Sequence, residues 1–273
     1  MKNDVFELVG QENGSTSIVL AGVHGNEGCG IEALEQLTSS LHIESGRVLF
    51  LIGNPRAVEQ NVRFTEANLN RMFKPDTLLS VAEKSSYEYT RAQFLKKYLD
   101  EADALLDVHA SRTPESRTFV ICEENGLPIS KYLPVDLVVS GIDAIQPGGT
   151  DYYMNAHGKV GVCVECGYLG DPESTNVAKE SILAFLATRG HITRDTSARK
   201  QSHLQVFYMY VTKFSLFSLT KPFKDFENIT REQPIGRDGT EEVRAPHDCV
   251  ILFPGSRGKA GDEAFLLGTY KTT

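Results

Sequence analysis

The sequence contains no long apolar stretch. Its unbroken runs, such as Val48–Ile52, fall far short of the roughly 18–20 residues that a membrane-spanning helix requires. The start, MKNDVFELVGQENGS, carries an Asp and a Glu and no apolar core, so it reads as lacking a secretory signal, and the expectation is a cytoplasmic enzyme. Cysteine is scarce and odd in number: Cys29, Cys122, Cys163, Cys166 and Cys249 fit free thiols in a reducing compartment better than a disulfide framework. Basic charge is also short, with 28 Lys+Arg against 36 Asp+Glu and a net charge of −8. No clustered basic surface is visible to neutralise phosphates, which excludes a nucleic-acid footprint and leaves any anionic ligand to local arginines. At 41% hydrophobic and 23% charged residues, the composition excludes fibrous and disordered classes. A chain of 273 residues buries enough surface to need no staples, and its length suits one or two domains.

What is present is an alternation of short apolar runs with amphipathic stretches, the pattern of an α/β protein. Ser17–Gly22 reads as a buried strand, followed by a glycine-rich turn and a helix over Cys29–Leu37 with Ile31, Leu34 and Leu37 on one face. Arg47–Gly53 is a second strand, stopped by Asn54-Pro55. From Asn54 to Pro75 no period persists, and a polar excursion of this length in a compact domain is usually functional. Ser85 or Ser86 caps a helix running to Asp100. Further strands are expected at Ala104–Val108, Thr118–Cys122, Val135–Val139 and Val160–Val164. Asp171-Pro172 predicts a helix start, with Asp171 as N-cap and the helix running to Arg189. His191–Ser202 reads as a linker, so residues 1–195 are expected to form an α/β catalytic domain and 203–273 a smaller all-β domain.

Four groups of residues can carry chemistry. His24 and Glu27 flank the turn after the first strand, where the reversal lets both reach one metal ion, although a Glu at a helix N-terminus is also favoured by the dipole alone. Asp107-Val108-His109 ends a buried strand, the end at which open α/β sheets bind ligands, and strand alternation puts Asp107 and His109 on one side. Together the motifs supply His, Glu and His, a set that leaves a catalytic zinc one open position. Glu165 closes the apolar run at Val160, where a carboxylate is costly unless paired or used as a general base. Cys163 and Cys166 flank it, but a spacing of three in a strand sends them to opposite faces, which argues against a redox or metal pair. On the long excursion, Arg63 and Asn70-Arg71 suit forked recognition of a carboxylate. A phosphate- or nucleotide-binding turn built on Gly22, Gly25, Gly28 and Gly30 is the rival from another class, and its spacing matches neither a dinucleotide fingerprint nor a P-loop.

In order, HGNE at His24–Glu27, NPRA at Asn54–Ala57, NLNRMF at Asn68–Phe73, DVH at Asp107–His109 and the late Glu165 resemble the aspartoacylase and succinylglutamate desuccinylase family, relatives of the zinc carboxypeptidases. The resemblance runs from residue 18 to about residue 190. It departs at Asn68, where the family often has Asp, at Cys249, where Gly is usual, and in lacking an arginine within Asp151–Gly158 that aspartoacylase itself carries. The resemblance implies a mixed sheet flanked by helices, with a β-rich C-terminal domain narrowing the entrance. It implies His24, Glu27 and His109 as ligands of one zinc ion per chain and Glu165 as the base that activates water. Arg63 would polarise the amide carbonyl, and Asn70 and Arg71 would hold the α-carboxylate of an N-acyl amino acid. The expected activity is a zinc-dependent amidohydrolase that removes an acyl group from such a substrate, with a carboxypeptidase on short peptides as the alternative. A small-molecule substrate is the expected partner, without nucleic acid or membrane, and assembly into a homo-oligomer is left open.

Overall fold

The computed structural model describes residues 4–271. Strand β1 (Val5–Val9), β2 (Glu12–Ala21), helix α1 (Cys29–Thr38) and β3 (Ser45–Ile52) open the chain, and a short α2 (Pro55–Gln60) follows. Next come α3 (Val81–Lys84), α4 (Tyr87–Leu99), β4 (Ala104–Ser111), β5 (Phe119–Cys122), α5 (Leu127–Ser130) and β6 (Leu137–Ser140). Helices α6 (Ile142–Ile145) and α7 (Thr150–Ala156), strand β7 (Val160–Tyr168) and α8 (Ser174–Thr188) complete the α/β part. The remainder is strand: β8 (Ser202–Val211), β9 (Phe217–Leu219), β10 (Glu227–Ile229), β11 (Pro234–Asp238), β12 (Glu241–Arg244), β13 (Cys249–Leu252) and β14 (Glu263–Tyr270).

One large mixed sheet runs in the order β1-β3-β2-β4-β7-β5-β6-β8-β14-β13-β10, and β12-β11-β9 form a small antiparallel sheet. The α/β sheet flanked by helices is therefore the architecture expected from the sequence. Its centre is parallel, β3-β2-β4-β7, and both of its faces are covered. Helices α1 and α8 lie over one face, where Leu34, Ala33, Ile182 and Phe185 pack with Val19, Leu106 and Val164. Helix α4 lies over the other, with Leu95 and Leu99 against Ile18, Leu20 and Leu105. Two-sided burial explains the unbroken apolar runs of β2, β4 and β7, since each fully buried Val, Leu or Ile contributes about 1.5–3 kcal/mol. From β8 onward the chain adds four strands to the large sheet and three to the small one, with β8 parallel to β6 through Leu137–Ser202 and Val139–Leu204. No helix among the described residues is long and apolar enough to cross a membrane.

Several local expectations are corrected. The excursion after β3 is not without helix: Asn54 Oδ1 accepts from the Ala57 amide and caps α2, and a 3-10 turn forms at Leu69–Arg71. The Asp171 carboxylate accepts from the Glu173 amide at 2.9 Å, so it closes a turn ahead of the helix, and α8 starts at Ser174 with no side-chain cap. His191 is fully buried and bonded to Ser45 O and Ser17 Oγ at 2.9 and 2.8 Å, which ties the start of the expected linker to the sheet. Strand β1 and helix α7 carry too few periodic residues to stand out in the sequence. Ser86 does cap α4, accepting from the Tyr89 amide.

Candidate active site

The parallel strands β2, β4 and β7 are neighbours, so the residues at their C-terminal ends converge. His24 and Glu27 lie in the turn between β2 and α1, while His109 and Glu165 sit opposite each other in register on β4 and β7. The turn requires glycine at position 25, because a Cβ there would lie 2.0 Å from the Ala57 carbonyl carbon of α2. That close packing holds the NPRA segment against the HGNE turn.

His24, Glu27 and His109 are 3%, 2% and 2% exposed, and each offers a ligand atom within 4.8 Å of the others. Glu27 is the hub. Its Oε2 is 2.8 Å from His109 Nδ1 and accepts from the Ala110 amide at 3.2 Å, and its Oε1 accepts from Arg63 Nη1 at 2.8 Å. His24 Nδ1 lies 2.8 Å from Glu27 Oε1, and His109 Nε2 lies 3.1 Å from Asp107 Oδ2, yet neither nitrogen is aligned for a hydrogen bond or has another partner. The Nδ1 atoms of both rings thus face the two oxygens of Glu27, an arrangement in which the three side chains can share a divalent cation, and the donor set suits zinc. Asn68 Oδ1 is 3.1 Å from His24 Nε2, and the Thr150 hydroxyl donates to the Asp107 carboxylate, so both rings are braced from behind.

The electrostatics follow from burial. Desolvation lowers His24 to about 4, against the pull of Glu27, and leaves the imidazole neutral as a metal ligand must be. Burial opposes charge on His109 as well, but the Asp107 and Glu27 carboxylates raise it well above the usual histidine range. Burial also works against ionised Glu27, and the two histidines nevertheless hold it well below the usual carboxylate range. For Glu165 the balance is reversed: burial, then the Glu27 carboxylate, push it up to about 8 against the pull of His109 and Arg63, and among the described residues its Oε2 accepts no hydrogen bond.

These groups open into a cleft of about 1290 Å³. Arg63, Asn70 and Arg71 line it, together with Glu165, and burial lowers Arg63 to about 10. Arg71 is forked onto Glu263 through Nε at 2.8 Å and Nη2 at 2.7 Å, a partner from β14 that no local pattern announces. Two more contributors were absent from the sequence reading. Glu88, fully buried on α4, accepts from Asn54 Nδ2 and from the Thr65, Glu66 and Ala67 amides, and so pins the excursion that carries Arg63, Asn70 and Arg71. Asp225 accepts from Ser111, Thr113 and Ser116 at 2.8, 3.1 and 2.7 Å and from the Phe253 amide at 2.6 Å, clamping the loop after His109 to the C-terminal strands. The hint for Glu88 was a carboxylate in helical register with the buried Ala92, Leu95 and Leu99, whereas nothing local marks Asp225. All five cysteines are free and buried, with Cys163 and Cys166 in separate cores on opposite faces of β7.

The succinylglutamate desuccinylase/aspartoacylase catalytic-domain family model matches residues 13–189. A succinylglutamate desuccinylase of Pseudomonas paraeruginosa is 40% identical, covering 97% of this chain and 87% of the relative. One of Shewanella sp. is 27% identical, covering 96% and 84%. The crystal structure of succinylglutamate desuccinylase from Vibrio cholerae superposes with a TM-score of 0.80 at 20% identity, covering 97% of this chain and 85% of that one, a likeness of fold. Motif order, fold and these matches together lead to one conclusion: the chain belongs to the succinylglutamate desuccinylase/aspartoacylase family.

Proposed function

We propose that this protein is a zinc-dependent amidohydrolase that removes the acyl group from an N-acyl amino acid or a related small acid, with one zinc ion per chain. The observation that carries this reading is the buried His24–Glu27–His109 group beside a buried Glu165 carboxyl whose Oε2 has no hydrogen-bond partner among the described residues. A divalent ion held by those three side chains would supply Lewis acidity to the scissile carbonyl and acidify water. Burial makes Glu165 a stronger proton acceptor than a solvated carboxylate, so it takes the proton of the attacking water and returns it to the leaving nitrogen. Arg63, a quarter exposed toward the cleft, donates to the carbonyl oxygen as negative charge develops there. Asn70 and Arg71 grip the α-carboxylate, with Glu263 fixing the plane of the Arg71 guanidinium.

The cleft volume exceeds the roughly 300–1,000 Å³ of most small-molecule sites, which keeps one alternative in play, a carboxypeptidase acting on short peptides. Metal analysis followed by competitive hydrolysis of N-acyl amino acids against dipeptides separates the two. Preference for acyl-amino acids with a chelator-sensitive rate supports the deacylase, and preference for dipeptides replaces it.

A further inference from the structure

Two thiols lie beneath the catalytic groups, and the reaction above uses neither. Cys29 opens α1, two residues after Glu27, and Cys166 follows Glu165 on β7. Strand alternation turns Cys166 away from Glu165, onto the face of the sheet covered by α1 and α8, and both cysteines belong to the buried cluster on that face. The strands bring them together. Cys29 Sγ donates to His109 O on β4 at 3.8 Å, His109 stands in register with Glu165 on β7, and the Cys166 thiol donates a hydrogen bond to the Cys29 sulfur. At this point β7 also bulges: the register steps from His109–Glu165 to Ser111–Tyr168, so Cys166 and Gly167 together oppose Ala110, and Gly167 takes a φ of +111°. The neighbour of Cys166 is therefore Cys29, from the far end of the catalytic domain, and not Cys163, which lies on the opposite face.

Two free thiols in hydrogen-bond contact have what a reversible redox couple needs, one sulfur to be oxidised and a second to resolve it. Cys29 is 6% exposed and Cys166 fully buried, so the oxidant must be small. We propose that Cys29 and Cys166 form a redox switch: a peroxide converts the two thiols to a disulfide that disables the site, and a dithiol reductant restores it. The Cys29 sulfur attacks one peroxide oxygen, the O–O bond breaks, and the departing hydroxide takes the thiol proton and leaves as water, giving a sulfenic acid. The Cys166 sulfur then attacks the sulfenic sulfur, and the S–S bond forms as the hydroxyl departs with the Cys166 proton as a second water. The thiols lose two electrons in all, and the peroxide takes them up. Bonding two sulfurs that now share only a hydrogen bond draws the start of α1 towards the β7 bulge. Glu27 and Glu165 sit on the two segments that move, and a shift of about 1 Å in such a site can cost roughly 10²-fold in rate.

The test exposes the full-length, zinc-loaded protein to hydrogen peroxide, stops the reaction with catalase, blocks remaining thiols with iodoacetamide and follows the rate beside a non-reducing peptide digest. In wild type a linked Cys29–Cys166 peptide should accumulate as the rate falls by about 10²-fold, and dithiothreitol should remove the one and restore the other. Cys29→Ala, or Cys29→Ser if the smaller side chain prevents folding, should keep its rate under peroxide. Cys166→Ala lacks the resolving sulfur, so Cys29 should pass on to the sulfinic acid and the loss should resist the reductant. Cys163→Ala should behave as wild type. The switch is overturned if both cysteines are recovered alkylated after peroxide, if the linked peptide forms without a change in rate, or if a reductant-reversible loss persists in the Cys29 variant. The effect on rate rests on the deacylase reading, whereas the linked peptide is scored without substrate. A reduced protein that hydrolyses no acyl-amino acid sinks that reading alone. The switch then stands if peroxide links the two cysteines and releases zinc from wild type but not from the Cys29 variant, and it falls if zinc is retained in both.

Discussion

Arg71 and Glu263 form a forked ion pair across 192 residues of chain, joining the 3-10 turn after α2 to strand β14. The guanidinium, which also donates from Nη1 to Asn70 O, is thereby held in place at the cleft before any substrate arrives. Lys in its place cannot reproduce the fork, so Arg71→Lys is expected to raise KM with less effect on kcat, the signature of a contact made equally in ground and transition states. Glu263→Gln should shift KM in the same direction, more weakly. Steady-state kinetics on free and α-amidated substrates check both: the amide should be poor for wild type and lose little more in Arg71→Lys. Equal wild-type rates on the two substrates would remove carboxylate recognition.

Arg63 is expected to behave in the opposite way. It donates to Glu27 and lines the cleft, and in the proposed reaction it serves the carbonyl oxygen, so its loss should matter most as the oxyanion forms. Arg63→Lys should depress kcat with a smaller change in KM, and equal losses in the two parameters for Arg63 and Arg71 variants would contradict the division of labour.

Glu165→Gln should retain metal while kcat falls by roughly 10²–10⁴, the worth of a positioned general base. The amide fills the same space without accepting a proton. Metal content measured beside the rate decides the outcome: metal loss would make Glu165 a ligand, and a near-normal rate would make it structural.

His24→Ala, Glu27→Ala and His109→Ala should each lose bound metal and activity together, and chelation of the wild type should abolish the rate until zinc is restored. Activity that survives chelation in a metal-free preparation would refute the mechanism.

Glu88 should govern the stability of the excursion that carries the substrate residues. Burial alone would raise its pKa, but bonds from Thr65, Asn54 and Ala67 hold it below the ordinary value of 4.5. Its contribution is therefore complete above that value and is lost as pH falls through the lowered one. Glu88→Gln opposes an amide group to the loop N–H donors and should cost about 1.5–3 kcal/mol at neutral pH. Urea unfolding should show the gap between wild type and variant narrowing below about pH 4.5, and a gap that is constant with pH would mean that the charge on Glu88 is irrelevant.

The sequence by itself determined the elements that end at the chemistry. The apolar runs of β2, β4 and β7 are strands because both of their faces are covered, and strand alternation set Asp107 and His109 on one side before any fold was known. Ser86 marked a helix start for the equally local reason that its hydroxyl accepts from the amide three residues on. Asp171 shows the limit of such signals: a residue suited to a cap closed a preceding turn instead. Only the tertiary structure decided that β2, β4 and β7 lie side by side, because strand order depends on which faces are buried together and leaves no period in the sequence. The same holds for the grip of Glu263 on Arg71, the hold of Glu88 on the excursion and the clamp of Asp225 on the loop after His109. Each is a polar group whose partner is fixed by packing between segments far apart in the chain, and hydrophobic periodicity carries no information about such pairs.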